Sequence, residues 1–321
     1  MSHIDVTTGS VDGFEAVQVD TGAISLALIP ELGGKISSLR DLRSGREWLW
    51  RNPRMAYRRV PHGGSYVALA DTGGWDECFP SVAPCAYPSP PWAGAAVQDH
   101  GELWSQPAAL ELIEARDTVA LRTRWRGAAL PYTFERAVTL GAGSPILRVE
   151  YAATNDADAP LQFVWCIHPL LAIEPGMRLL LPPEARFNLG GAAPPGLVGQ
   201  GGGLRYPPAV RDLDLATLPD SSAGLAIKLW SEPLEQGWAA LSAPDGELRM
   251  RWDTALLPQV AVWMNLGAWA GDGGAPYYNL GLEPCIGAQD SLADAVTIHS
   301  LYETLPPRGS RAWRLEIELT A

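Results

Sequence analysis

Two histidines and one glutamate in this 321-residue chain have settings suited to proton transfer. His168 lies in Phe163-Val164-Trp165-Cys166-Ile167-His168-Pro169, Glu283 follows Tyr277-Tyr278-Asn279-Leu280-Gly281-Leu282, and His100 stands between Asp99 and Gly101. An imidazole titrates near neutral pH and can give or take a proton. A carboxyl desolvated by apolar neighbours gains pKa and can act as a base toward a weakly acidic hydroxyl. The chain reads first as an acid/base enzyme acting on a neutral substrate.

Each candidate has a plainer reading. Alternation along its strand puts Cys166 and His168 on one face and Trp165 and Ile167 on the other, so the imidazole points into an enclosed space. A satisfied structural histidine would share that pattern. Pro169 should end this strand at once, since it has no N–H for the ladder. Glu283 is either a desolvated base or a carboxylate paired with an Arg at a sheet edge. Asp99 or Glu102 can orient His100, and Gly101 permits close backbone approach. His3, His62 and His299 have no comparable setting and read as structural or exposed.

Other chemistries lack their signatures. The chain has no H-E-x-x-H and no close His pair, so a catalytic metal is not expected. No G-x-S-x-G elbow occurs, and Gly33-Gly34 and Gly63-Gly64 fail the dinucleotide template, so no organic cofactor is expected. Cys78, Cys85, Cys166 and Cys285 show no C-x-x-C spacing and read as reduced core thiols. With 24 basic against 36 acidic residues, a formal charge of −12, nucleic acid and anionic membranes are poor partners. The N-terminal residues carry no basic segment with an apolar h-region, and no run of about 18 apolar residues occurs, so a soluble, cytoplasmic protein is expected.

The elements that must carry these residues are strands. Trp313, Leu315, Ile317 and Leu319 alternate with Arg314, Glu316 and Glu318. Leu121-Thr123-Trp125, Leu147-Val149-Tyr151 and Leu248-Met250-Trp252 repeat the pattern. Turn signals separate them, at Pro244-Asp245-Gly246 and Asn155-Asp156-Ala157-Asp158. There is no long amphipathic helix, no fixed-period repeat and no composition break. We therefore expect an all-β antiparallel assembly, residues 1–321 forming one domain. Pro182–Pro208, which includes Gly201-Gly202-Gly203, reads as a long surface loop, and Pro61–Pro107 as rim loops of the kind that gather ligand contacts.

Tryptophans and arginines suggest the ligand. Thirteen tryptophans are many, and an indole face suits the C–H face of a sugar ring. Trp125, Trp252 and Trp313 fall on apolar strand faces, whereas Trp75, Trp92 and Trp104 lie in loop contexts and are candidates for a pocket wall. Arg51, Arg54, Arg58 and Arg59 crowd one segment and could fork onto an anionic group, or simply form a solvated face.

Taken in order, several short motifs resemble the galactose mutarotase (aldose 1-epimerase) superfamily. They are Ile29-Pro30-Glu31-Leu32-Gly33-Gly34-Lys35-Ile36-Ser37-Ser38-Leu39, GREWLW (Gly45–Trp50), GGWDECFP (Gly73–Pro80), DHGELW (Asp99–Trp104), CIHPLL (Cys166–Leu171) and LEPCIG (Leu282–Gly287). The segment around Asp76 and Glu77 is similar to a less characterised branch. The resemblance implies a large antiparallel β-sandwich with a sugar site on one sheet, and interconversion of α and β anomers by ring opening without a cofactor. By motif position Glu283 matches the base, His168 the acid and His100 a sugar-binding histidine. Asp76, Glu77, Trp75, Trp104 and Arg58 are further substrate-contact candidates, and Asp220 stands by spacing for an acidic residue that holds ring hydroxyls. The substrate expected is a small sugar, a free hexose or an anionic derivative; a carbohydrate-binding or regulatory protein without turnover is the alternative.

Overall fold

The computed structural model describes residues 3–196, 203–210 and 213–321. Alternating strands bury one face each, and two large sheets pack those faces together as a β-sandwich. The eight-stranded sheet holds the segments whose period-two pattern is cleanest: Thr118–Arg126, Ile146–Asn155, Gly246–Trp252 and Ser310–Thr320. Leu121, Leu147, Val149, Leu248, Trp313 and Leu315 point into the sandwich and are buried, while the intervening charges face solvent. The turns at Pro244–Gly246 and Asn155–Asp158 fall where the sequence signals them.

The eleven-stranded sheet behaves differently at its centre. Gly74–Cys78, Trp165–Leu171, Leu225–Ser231 and nearly all of Tyr278–Ile286 are buried at every position, so their sequences lack the alternation of half-exposed strands. Gly74–Cys78 pairs with Trp165–Leu171, which pairs with Tyr278–Ile286; beyond it come Gln259–Leu266 and Leu225–Ser231. Parity then sorts the side chains. Trp75, Glu77, Trp165 and Ile167 enter the sandwich, whereas Asp76, Cys78, Cys166, His168, Glu283 and Cys285 share the opposite face.

Two expectations change here. Pro169 does not stop its strand, which runs on to Leu171 with Pro169 paired to Trp75. Register toward the Glu283 strand is kept at Cys166–Cys285 and resumes at Leu170–Gly281, leaving Ile167–Pro169 out of that ladder. Pro169 and Pro284 each lack an N–H, so the interruption costs the sheet little at the one place where His168 and Glu283 meet. Residues 182–208 are not one loop: Arg186–Ala193 and Leu204–Arg205 extend the large sheet. The glycines there mark a register shift between Leu189 and Gly191, where a Cβ on Gly190 would collide with the Trp230 indole. Gly201 and Gly202 lie outside the described residues.

The helical segments are short, and none among the described residues is long and apolar enough to cross a membrane. The four cysteines are free, with Cys78, Cys166 and Cys285 buried and Cys85 half-buried.

Glu77 is a core residue that ties the two sheets together, not a substrate contact. Arg136 of the eight-stranded sheet donates to its Oε1 at 3.1 Å, Tyr151 at 3.0 Å and Trp75 Nε1 at 3.1 Å, while Trp165 Nε1 reaches Oε2 at 3.2 Å. Burial pushes the Glu77 carboxyl up to about 7 in spite of Arg136, which marks the cost of enclosing it. Trp75 is likewise corrected from pocket wall to core: it is fully buried with its N–H spent on Glu77. Removing one partner of such a pair leaves an uncompensated charge. Glu77→Gln should therefore lose about 3 kcal/mol or more in urea unfolding. A loss below about 1 kcal/mol, the range of an exposed pair, would contradict this placement.

Candidate active site

A cavity of about 230 Å³ lies on the outer face of the large sheet, over His168, Leu170, Lys228 and Trp263. That is just under the usual ~300–1,000 Å³ of small-molecule pockets and suits one monosaccharide better than a chain. Its remaining wall comes from Tyr66, Val67 and Asp71, from Val82, Ala83 and Pro84, from Asp99 and His100, and from Trp269 and Asp290. A larger groove of about 490 Å³ between Arg186, Arg205, Glu232 and Glu235 has no histidine or cysteine among its lining residues.

His168 and Glu283 do meet. Nδ1 of His168 lies 2.9 Å from Oε1 of Glu283, and Lys228 Nζ bonds the other oxygen, Oε2. Glu283 is fully enclosed and reaches these partners by lying across Gly281, where a Cβ would come within 2.6 Å of Oε1. The expectation of a base with raised pKa is overturned. Burial does push upward, but the Lys228 ammonium and the His168 hydrogen bond outweigh it and hold the carboxyl at about 2. Lys228 in turn is held above its ordinary value, because Glu283 and Asp290 outweigh its desolvation. With both oxygens engaged, by His168 and Lys228, the carboxylate is placed to orient the ring of His168, which lines the cavity.

His100 reaches the same space from the rim. It sits at φ +59°, ahead of Gly101, whose backbone crosses Phe79 so closely that a Cβ there would fall 2.2 Å from the Phe79 carbonyl oxygen. The turn sets the His100 ring edge-on to His168, with centroids 4.9 Å apart, and stacked on Tyr66 at 4.1 Å. Asp99 Oδ1 takes His100 Nδ1 at 2.7 Å, and its Oδ2 accepts from Ser65 Oγ and Val67 N, each at 3.2 Å. Desolvation of Asp99 is outweighed by these bonds, His100 first, so its carboxyl is lowered.

The other candidates fall outside the cavity. Asp76 shares the face of His168 but lies buried below Tyr66, accepting from its hydroxyl at 2.7 Å and pairing with Lys35. It fixes the wall. Trp104 packs edge-on against Tyr66 and gives its N–H to the Asp99 carbonyl. Trp104 and Arg58 line a separate void of about 20 Å³, room for about one water. Arg58 donates to Leu69 O, Arg51 pairs with Asp12, Arg54 with Asp272 and Arg59 with Glu31. The arginine segment is thus engaged in structural contacts, and among the described residues no arginine lines the cavity. Trp92 packs edge-on against Tyr87. Asp220 caps the turn Ser221–Ala223.

Sequence reasoning passed over Tyr66, Asp71, Lys228, Trp263, Trp269 and Asp290. Lys228 had a signal, a lone charge in Leu225-Ala226-Ile227-Lys228-Leu229-Trp230. Asp71 had none. It is buried, Oδ1 has no hydrogen-bond partner among the described residues, and desolvation lifts its carboxyl to about 7 against the pull of His100 and Lys35. Asp290 is also raised by burial. The site therefore combines an imidazole backed by a carboxylate with a carboxyl that is partly protonated at neutral pH.

Neither a protein-family model nor a curated protein matches the sequence. Solved structures do. A protein of Synechocystis sp. PCC 6803 superimposes with a TM-score of 0.68 at 17% identity, over 100% of this chain and 99% of that one. A galactose mutarotase-like protein from Lactobacillus casei ATCC 334 gives 0.65 at 16%, over 95% and 99%. Another of that description, from Clostridium acetobutylicum, gives 0.66 at 11%, over 98% of both chains. The chain has the galactose mutarotase-like fold.

Asp71 yields a test of the electrostatics. Its folded pKa lies above the unfolded value, so the folded state holds the extra proton between about pH 4 and 7. Stability is lost as pH rises through that window, by up to about 4 kcal/mol. Urea unfolding of Asp71→Asn should show the variant gaining about 2–4 kcal/mol on wild type between about pH 4 and pH 8. A gap that stays constant across that range would show an ordinary carboxylate.

Proposed function

We propose that the protein is an aldose 1-epimerase acting on a neutral monosaccharide. The observation that carries this reading is the buried Glu283–His168 pair at the floor of a cavity of monosaccharide size. With Nδ1 donating to Glu283, His168 offers Nε2 to the sugar. That atom takes the proton of the anomeric hydroxyl, and Glu283 compensates the charge that forms on the ring. Asp71, protonated in part at neutral pH, gives its proton to the ring oxygen, and the C1–O bond breaks.

The open aldehyde then turns about C1–C2. Closure reverses both transfers: Asp71 recovers its proton from the attacking hydroxyl, and His168 returns its proton to the new anomeric oxygen. No net charge or proton is consumed. Trp263 and Trp269 supply apolar faces for the sugar C–H groups, and His100 a hydrogen bond to a hydroxyl. The same fold carries the name galactose mutarotase-like in two of its neighbours, which supports the reaction class. Neutral sugars are favoured over phosphate or sulfonate esters because Asp71, Asp99 and Asp290 line the cavity while its lysine, Lys228, is spent on Glu283 and Arg51, Arg54 and Arg59 are paired elsewhere.

Optical rotation of freshly dissolved α-aldoses tests this. Wild type should accelerate mutarotation of at least one neutral hexose above the buffer rate, and His168→Ala should lose about 10²–10⁴-fold in kcat. Because Asp71 must be protonated to act, the rate should fall as pH rises through about 7, and Asp71→Asn should lower kcat about 10²–10⁴-fold and leave a residual rate without that limb. Sugar binding with no acceleration of any hexose would replace the enzyme with a carbohydrate-binding protein.

A further inference from the structure

Beneath the imidazoles lies a thiol that the proton-transfer chemistry does not use. Cys78 is on the same sheet face as His168, and one ligand atom from each of Cys78, His100 and His168 lies within 4.8 Å of the others. Both histidines have Nδ1 committed to a carboxylate, His100 to Asp99 and His168 to Glu283, so each has Nε2 to offer. Carboxylate–histidine pairs of this kind fix tautomer and ring direction in metal centres. Two such pairs converge here with a sulfur. We propose that Cys78, His100 and His168 form a binding site for a borderline-soft divalent transition-metal ion of the zinc class.

The donor set, one sulfur and two imidazole nitrogens, is what such ions select over magnesium or calcium, which take oxygen. Zinc–sulfur and zinc–nitrogen bonds of about 2.3 and 2.0–2.1 Å place tetrahedral ligand atoms roughly 3.4–3.6 Å apart. Donor atoms within 4.8 Å of one another therefore need to close by at most about 1.4 Å, through rotation of two rings that stand edge to edge. Asp290 lines the cavity beside both histidines and is the group placed to complete the shell, directly or through water. Binding replaces the Cys78 thiol proton by the ion, so one proton leaves per metal bound. An ion held there occupies the floor of the sugar cavity. Inhibition of mutarotation rests on the function proposed above; metal binding does not.

Chelator-treated full-length protein titrated with Co²⁺ and then Zn²⁺ tests the site. Expected are roughly one ion per chain, a thiolate-to-cobalt charge-transfer band in the near ultraviolet that Zn²⁺ abolishes, and release of about one proton in calorimetry across buffers. Cys78→Ser should remove the band. His100→Gln should weaken binding at least tenfold, Asp99→Asn should weaken it about 10–100-fold through the ring it orients, and His62→Gln, at an exposed position, should leave it unchanged. Circular dichroism separates a misfolded Cys78→Ser from a folded one, and the two site variants at His100 and Asp99 carry the test if it misfolds. No cobalt band in wild type, or full affinity retained in folded His100→Gln, would overturn the proposal. A band without any mutarotase activity would uphold the metal site and reject the enzyme reading.

Discussion

A carboxylate with no exposure to solvent, held between an ammonium and an imidazole, organises this molecule. Enclosing Glu283 would be prohibitive alone, and Lys228 and His168 make it tolerable by offering one partner to each oxygen. Those partners come from different strands, so the three strands are locked in one register wherever the charge is satisfied. Gly281 gives the carboxylate its path, and Pro169 and Pro284 relax the ladder beside it. The chemistry follows from the same fact. In the proposed mechanism a carboxyl held this low steers a histidine, and proton exchange with the sugar falls to His168 and to the perturbed Asp71.

Parity explains why adjacent acids have opposite fates. Asp76 and Glu77 are neighbours in sequence, yet one supports the cavity wall through Tyr66 while the other is sealed between the sheets by Arg136, Tyr151, Trp75 and Trp165. Two of the buried carboxylates of the large sheet make the contrast plainest, Glu77 on the inner face and Glu283 on the outer. Each is satisfied by a cation from another strand and by ring N–H donors. Their pKa values part because Glu283 has a direct lysine and an imidazole, whereas desolvation prevails at Glu77.

The sequence was most readable where burial is one-sided. Strands such as Ser310–Thr320 announce themselves, since only one face is apolar, and the pairing of His168 with Cys166 on one face follows from the same period. Central strands were harder, because both faces are buried and alternation vanishes. The motif order found His168, Glu283 and His100, which the fold brings together. It did not find Asp71 or Asp290, which reach the cavity from irregular segments whose paths no periodicity encodes. Nor did it reveal the sign of the shift at Glu283. That sign depends on Lys228, 55 residues away and two strands over. The loop tryptophans misled for a physical reason: Trp75 stands in a strand facing the core, and aromatic bulk serves burial there rather than recognition.

In the proposed mechanism Glu283 stays engaged by His168 and Lys228 while His168 serves the sugar. A crystal structure with a bound aldose measures this directly. We expect the anomeric oxygen within hydrogen-bond distance of His168 Nε2, with both Glu283 oxygens still on their present partners. A Glu283 carboxylate turned into the cavity to accept the anomeric hydroxyl, with Lys228 released, would contradict the account.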